Sequence, residues 1–336
     1  MLTSLFDYQY PKELIATYPP EKRGDSRMMV VERSSGKIWD DHIQNFPQFL
    51  HSNDLVIFNN SRVIPARLYG VNFKGKQREF LLLKDLGNDV WECLVSKSSQ
   101  VNQGDAFIFP AGLKATIENT HDETRQVKFH YHGNFLECLE KIGHMPLPPY
   151  IKREDEVSDR GRYQTIFAEH HGSAASPTAG LHFTADMMKS LASKASVGFV
   201  TLHVGIGTFF PIRTKHIENH RMHGEFYHMP RTTFDQINLT RKKGGKIIAV
   251  GTTTVRVLES ADEKEKTGTG CTKKYIQPPY QFRCVDQLLT NFHQPCSTLL
   301  VMVSALMGLD LVKKSYQRAI EKKYRLFSYG DCMLIL

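Results

Sequence analysis

The chain has 336 residues, 41% of them apolar, and a formal net charge of +8 from 43 basic and 35 acidic side chains. That length exceeds the usual single domain, so two domains are expected, and that apolar content supports a sizeable core with no low-complexity segment. The positive excess fits a polyanionic partner without demanding one. It is uneven: residues 213–246 hold eight basic against three acidic side chains, and residues 313–325 hold six against one.

The opening residues, MLTSLFDYQYP, have neither a basic segment nor an apolar run, so no secretory signal is expected. MMVVER, residues 28–33, is predicted as a strand, and DLVIFNN, residues 54–60, is a second strand that ends in polar residues. From 62 to 141 the texture changes to short β-rich runs (ARLYGV, REFLLLKD, DVWECLV, DAFIF, LKATIE, RQVKFHYH) separated by turn signals such as Gly87-Asn88. Such close spacing predicts a small all-β barrel or sandwich. NFLECLEKIG closes the block as a short amphipathic helix, and the three prolines of 144–150 predict an extended connector.

Strands alternating with helices resume beyond the connector: strands at FVTLHV and KIIAV, helices at 186–194, 254–263 and 297–309. The expected architecture is therefore a discontinuous α/β domain, residues 1–61 and 147–336, with a mixed sheet. A β-barrel domain, 62–146, is inserted into it. The run 295–309 is too short to span a bilayer and is predicted to be a buried helix. The cysteines, Cys93, Cys138, Cys271, Cys284, Cys296 and Cys332, show no CxxC spacing and suggest reduced thiols of a cytoplasmic protein. His216, His220 and His223 come closest to a metal set but lie on no clear helix, so no metal is expected.

Four polar segments point to one crevice at the carboxyl ends of strands, where open α/β sheets collect ligands. Gly251-Thr252-Thr253-Thr254 follows a strand and opens a helix, with Thr253 or Thr254 as its cap and free N–H groups aimed at an anion. Gly205-Ile206-Gly207-Thr208 also follows a strand, but a third glycine is missing and Pro211 blocks a helix, which rules out a dinucleotide fingerprint. Taken alone, His203 in that strand reads as a hydrogen-bonded structural histidine. Asn291 and His293 alternate at a third strand end, before a helix capped by Ser297. The fourth segment, GSAASPTAGLHFT (172–184), carries His182 and ends at Thr184, a cap for the next helix. It has no GxSxG elbow, and Pro177 directly follows Ser176, so a serine hydrolase is disfavoured.

Taken together these strings resemble the S-adenosylmethionine:tRNA ribosyltransferase-isomerase family of queuosine biosynthesis. The likeness runs in order along the chain: LIATYPPEKRGDSRMMVVER, LVIFNNSRVIPARLYG, GHMPLPPYI, DRGRYQTIFAEHHGSAASPTAGLHFT, TLHVGIGTFFPI, MHGEFYHMP, AVGTTTVRVLES, LLTNFHQPCSTLLVMVSALMG and YRLFSYGDCML. The resemblance implies an α/β domain with an inserted β-barrel. It also implies transfer and isomerisation of the ribosyl part of S-adenosylmethionine onto 7-aminomethyl-7-deazaguanine at the tRNA wobble position, with adenine and methionine leaving. S-adenosylmethionine is then a consumed substrate, and no further cofactor is implied.

Such chemistry needs a base for the proton beside the sulfonium and an acid for departing adenine, which suits groups titrating near neutrality. The candidates are His182, His203, Glu225 and His293. For S-adenosylmethionine the expected contacts are Gly205, Gly207, Thr208, Gly251, Thr252, Thr253 and Asn291, with Arg256 either a carboxylate partner or a helix-surface arginine. For tRNA, Arg62, Arg67, Lys152, Arg153, Arg160 and Arg162 flank the expected domain junctions, with Tyr163 to stack on a base. Glu154, Asp155, Glu156 and Asp159 make the stretch 152–162 locally neutral. The expected protein is a monomer without membrane contact. Competing readings are an S-adenosylmethionine-dependent tRNA methyltransferase and a non-enzymatic RNA-binding module.

Overall fold

A computed structural model describes residues 1–121, 123–205, 210–264 and 267–336. Its spine is a nine-stranded mixed sheet in the order Gly268–Thr272, Glu225–Met229, Ser196–Leu202, Leu55–Asn59, Ile247–Val250, Gln287–Asn291, Cys332–Ile335, Arg27–Glu32, Lys37–His42. The four central strands, from Ser196–Leu202 to Gln287–Asn291, run parallel to one another. Cys332–Ile335 enters antiparallel to Gln287–Asn291 and parallel to Arg27–Glu32, so the last strand of the chain joins its first strand to the centre.

Central strands covered on both faces are apolar at every position, because successive side chains alternate between the faces. Leu55, Ile57, Ile247, Ala249, Met29 and Val31 join one core with the helices Thr252–Lys264 and Thr298–Met307. Val56, Phe58, Ile248, Val250, Met28 and Val30 join the other, against helix Ala185–Ala192 and the turn Ile43–Phe49. In that second core Phe183 meets Phe58 and Phe46 edge to face, at centroid distances of 4.9 and 5.7 Å. Thr184 and Ser297 cap their helices as expected, accepting from Met187 N and Leu300 N. The helix after Gly251 departs from expectation. It starts at Thr252, and Thr254 Oγ1 donates back to Val250 O at 2.7 Å instead of capping.

Six antiparallel strands between Arg67 and His130 close into a barrel with its own core, in which Phe80, Phe107, Phe109 and Phe129 pack together. Gly70 is required there, since an added Cβ would stand 2.7 Å from the Phe109 ring. Helix Phe135–Ile142, capped by Asn134, closes the barrel. The seam to the sheet combines backbone pairing with a small apolar cluster that includes Val63, Met145, Leu147 and Tyr163. Ser61–Val63 pairs in parallel with His170–Ser173, and the Arg67 backbone exchanges hydrogen bonds with His144. No helix among the described residues is long and apolar enough to cross a membrane.

Candidate active site

The ends of the parallel strands do converge. A narrow crevice is lined by Ala175–Ala179, Val204, Gly251–Thr253 and Thr290–Gln294, and is closed by Tyr150, Tyr163, Ser297, Phe327 and Ser328. Asn59 ties two of these segments, and strand Ser61–Val63, together from below. Its Nδ2 donates to Leu202 O and Thr253 Oγ1, and its Oδ1 accepts from Leu202 N and Ser61 N. Gly251 adopts φ +90°, where a side chain would be strained, and its N–H donates to Leu289 O. Ser176 Oγ is buried in the crevice wall without a hydrogen-bond partner among the described residues. An orphaned hydroxyl there is a group available to a ligand.

The four proton-transfer candidates occupy different environments. His182 is buried, with Nδ1 2.8 Å from Ser26 Oγ and Nε2 3.2 Å from Asn291 Nδ2. Since Asn291 Nδ2 can only donate, His182 Nε2 accepts and Nδ1–H donates to the serine. Burial, with the charges of Arg23 and Arg325, pushes its pKa down to about 4. His182 does not line the crevice; through Asn291, which also accepts from Thr178 Oγ1, it positions the crevice wall. Both ring nitrogens are engaged and the ring is held neutral, an arrangement that suits positioning of the wall more than proton transfer.

His293 does line the crevice. Its Nε2 lies 2.9 Å from Thr290 Oγ1, its N–H donates to Tyr316 Oη, and Tyr8 Oη donates to its carbonyl. Burial lowers its pKa to about 3, so it is a neutral hydrogen-bonding ring. His203 lines a second cavity on the other side of Val204, where its ring stacks parallel to Phe226 with centroids 6.0 Å apart. Its Nδ1 is buried without a partner among the described residues. Burial and then neighbouring His170 lower its pKa.

Glu225 and Arg256 form a buried ion pair. Glu225 Oε1 also accepts from Gly205 N at 2.9 Å, and Arg256 Nη2 donates to Thr272 O at 3.3 Å. Glu225 is therefore a fixed acceptor that shapes the Gly205 turn. Arg256 is neither a surface arginine nor a free carboxylate partner; burial lowers its pKa to about 10, which leaves it protonated at neutral pH. Gly207 and Thr208 lie outside the described residues.

The expected tRNA contacts are mostly committed inside the protein. Arg153 makes a bidentate pair with buried Asp159, at 2.6 and 2.8 Å, over the Tyr18 ring. Arg67 pairs with Glu79 and donates to Leu147 O. Arg160 pairs with Glu140 and donates to Gly143 O, and Arg162 donates to Pro20 O and Glu21 O. Tyr163 is fully buried against Tyr329 and cannot stack on a base in this conformation. Lys152 is exposed, and Arg62, with one 3.5 Å contact to Ala168 O, is the loosest of the arginines.

Sequence reasoning overlooked Glu259. This carboxylate is fully buried and accepts from Tyr280 Oη and from the N–H groups of Arg283, Cys284 and Val285. A glutamate within an otherwise apolar and small helical run, LESA, was the available signal. It pins the loop that leads into strand Gln287–Asn291, and so sets where Asn291 and His293 emerge.

A family described as "Queuosine biosynthesis protein" matches residues 3–335. The chain is 46% identical over 338 residues to a protein of Natranaerobius thermophilus named S-adenosylmethionine:tRNA ribosyltransferase-isomerase, covering 98% of each. It is 44% identical over 343 residues to a protein of the same name from a Thermoanaerobacter species, covering 100% of each. Among solved structures it resembles the crystal structure of an S-adenosylmethionine tRNA ribosyltransferase from Thermotoga maritima, with 35% identity and a TM-score of 0.58. That match covers 99% of this chain and 100% of the other.

Proposed function

The chain belongs to the queuosine biosynthesis protein family, and we propose that it works as an S-adenosylmethionine:tRNA ribosyltransferase-isomerase with the crevice as its nucleoside site. On this reading it moves the ribosyl part of S-adenosylmethionine onto 7-aminomethyl-7-deazaguanine at the tRNA wobble position, giving epoxyqueuosine-tRNA and releasing adenine and methionine. S-adenosylmethionine is consumed, and no metal or other cofactor takes part. The protein acts as a cytoplasmic monomer.

The adenosine half sits between Ala175–Ala179 and Gly251–Thr253, where small residues let the backbone approach a sugar closely. The Ser176 hydroxyl and the N–H groups that open helix Thr252–Lys264 offer hydrogen bonds to it. Neutral His293 is a hydrogen-bonding group for the nucleoside and does not carry the proton. His203 takes the proton from the carbon beside the sulfonium. The observation that carries this assignment is a ring nitrogen, Nδ1, with no hydrogen-bond partner among the described residues, in the residue next to Val204 of the crevice wall; the carbon beside the sulfonium must reach the ring at that partition. A ring without a fixed partner at each nitrogen is free to accept a proton, which His182 is not.

The test is product analysis with tRNA carrying the precursor base. Release of free adenine and methionine supports the reading, and formation of S-adenosylhomocysteine would assign a methyltransferase instead. The role of His203 is tested by His203→Gln. Turnover should fall about 10²–10⁴-fold with S-adenosylmethionine binding retained; near-normal turnover would remove His203 from the mechanism.

A further inference from the structure

We infer that the cavity between the barrel and the sheet edge is the site that receives the everted, amine-bearing nucleobase of the tRNA, stacked on Phe226 and with its ammonium group held by Asp85 and Asp89. This deepens the proposed reaction and rests on it. The cavity is open to solvent and has a volume of about 710 Å³, within the ~300–1,000 Å³ common for sites that take small ligands. One wall is the barrel: the tip of the hairpin between strands Gln77–Gly87 and Val90–Val95, with Trp91, Tyr131 and Phe135. The other wall is His171, Gly172, His203, Gly205, Glu225 and Phe226.

Three features fit a base. First, Phe226 is 45% exposed although it lines a cavity, and its ring lies parallel to that of His203. An uncovered aromatic face beside a polar ring is the surface on which unstacked bases are held in RNA-binding sites. Second, the acidic groups sit at the hairpin tip, where Asn88 and Asp89 have φ of 53° and 63°. Asp85 Oδ1 accepts from Gly87 N at 2.8 Å, and Asp89 accepts from Tyr131 Oη. Among the described residues Lys84 is the cationic one on this wall, so Asp85 and Asp89 leave it with an excess of negative charge. Such a wall opposes RNA phosphates and favours an ammonium group.

Third, the cavity and the nucleoside crevice share a thin partition. Val204 faces the crevice while His203 and Gly205 face the cavity, and the partition is stitched by Val204 N to Ser173 Oγ and Ala174 N to Val204 O. A base in the cavity is thus one residue's width from the crevice, and its amine, once its ammonium proton has passed to a carboxylate of the hairpin, is the nucleophile for the ribosyl carbon that emerges there. Enzymes that act on a base of a structured RNA must take that base out of its stack. A pocket at a domain seam, open to solvent and adjacent to the cosubstrate site, meets that need.

The experiment measures equilibrium binding of two anticodon stem-loop RNAs, one with 7-aminomethyl-7-deazaguanine and one with guanine at the wobble position. It compares the full chain with Phe226→Ala and Asp89→Asn, both surface-accessible changes at residues outside the three apolar cores. The parent should favour the amine-bearing RNA. Phe226→Ala should weaken that RNA by about 5- to 100-fold, and Asp89→Asn should erase most of the preference for the amine while leaving the guanine RNA unchanged. S-adenosylmethionine affinity, measured alongside, should not move. If both variants bind both RNAs as the parent does, or weaken both RNAs equally, the assignment is overturned. A parent that shows this binding pattern but releases no adenine would instead overturn the reaction and leave the base site standing.

Discussion

The buried pair of Glu225 and Arg256 gives a direct way to separate an architectural role from a substrate contact. Both side chains are about 5% exposed, and each has one further partner, Gly205 N for the carboxylate and Thr272 O for the guanidinium. Replacing Arg256 with Met leaves a carboxylate in the core with a single N–H donor. Replacing Glu225 with Gln leaves a buried guanidinium facing an amide. Removing one partner of a buried pair costs about 3–5 kcal/mol. Removing both leaves no uncompensated charge, so the double variant should be no less stable than either single, a coupling of several kcal/mol where independent sites would add. Urea denaturation followed by far-ultraviolet circular dichroism measures all four proteins. The reasoning fails if the single variants each lose less than about 1 kcal/mol and add, with a large rise in the dissociation constant for S-adenosylmethionine. That outcome would return Arg256 to the substrate.

Acid should destabilise the protein in a defined window. His182 and His293 have folded pKa values of about 4 and about 3, below the 6.5 of a free histidine, so the unfolded chain binds more protons between those limits. Stability is then full above pH 6.5 and falls as the pH drops towards 4 and 3; His182 alone contributes about 3 kcal/mol of that loss. His182→Asn should flatten the acid limb of a stability-versus-pH curve, and an unchanged limb would contradict the neutral assignment. Asp159 is buried, which opposes ionisation. Arg153, the Glu156 N–H and Tyr329 nevertheless hold its carboxyl below the ordinary range, so Arg153→Ala should destabilise by about 3–5 kcal/mol in thermal or urea unfolding. A change near zero would make Arg153 available to RNA. Lys152→Ala and Arg62→Ala should each reduce the slope of log affinity for tRNA against log salt by up to about 1; unchanged slopes would place the phosphate contacts elsewhere.

The strands were legible because both rules that write them are local. Runs such as Leu55-Val56-Ile57-Phe58 are apolar throughout since both faces are covered, and the β-rich texture of the barrel comes from alternation within single hairpins. The convergence of Gly251, Asn291 and the 175–179 segment followed from strand ends, a topological rule that survives ignorance of strand order. Partner choice was not legible. His182 meets Ser26 across 156 positions, Arg67 meets Leu147 across 80, and nothing near Arg153 distinguishes Asp159 from Asp155 as its partner. Basic residues beside a junction read as RNA contacts until the fold shows that they hold the junction together. Tyr163 read as a stacking ring for the same reason, and the packing of Tyr329 on it decides otherwise.

The central claim is that the ribosyl carbons of S-adenosylmethionine end on the tRNA. Incubating the full chain with tRNA bearing 7-aminomethyl-7-deazaguanine and S-adenosylmethionine labelled in the ribose tests it directly. The account predicts label in the tRNA, in proportion to adenine released and absent with unmodified guanine-bearing tRNA. Label that stays in small molecules while tRNA gains a methyl group, or tRNA that is bound and left unchanged, would contradict it.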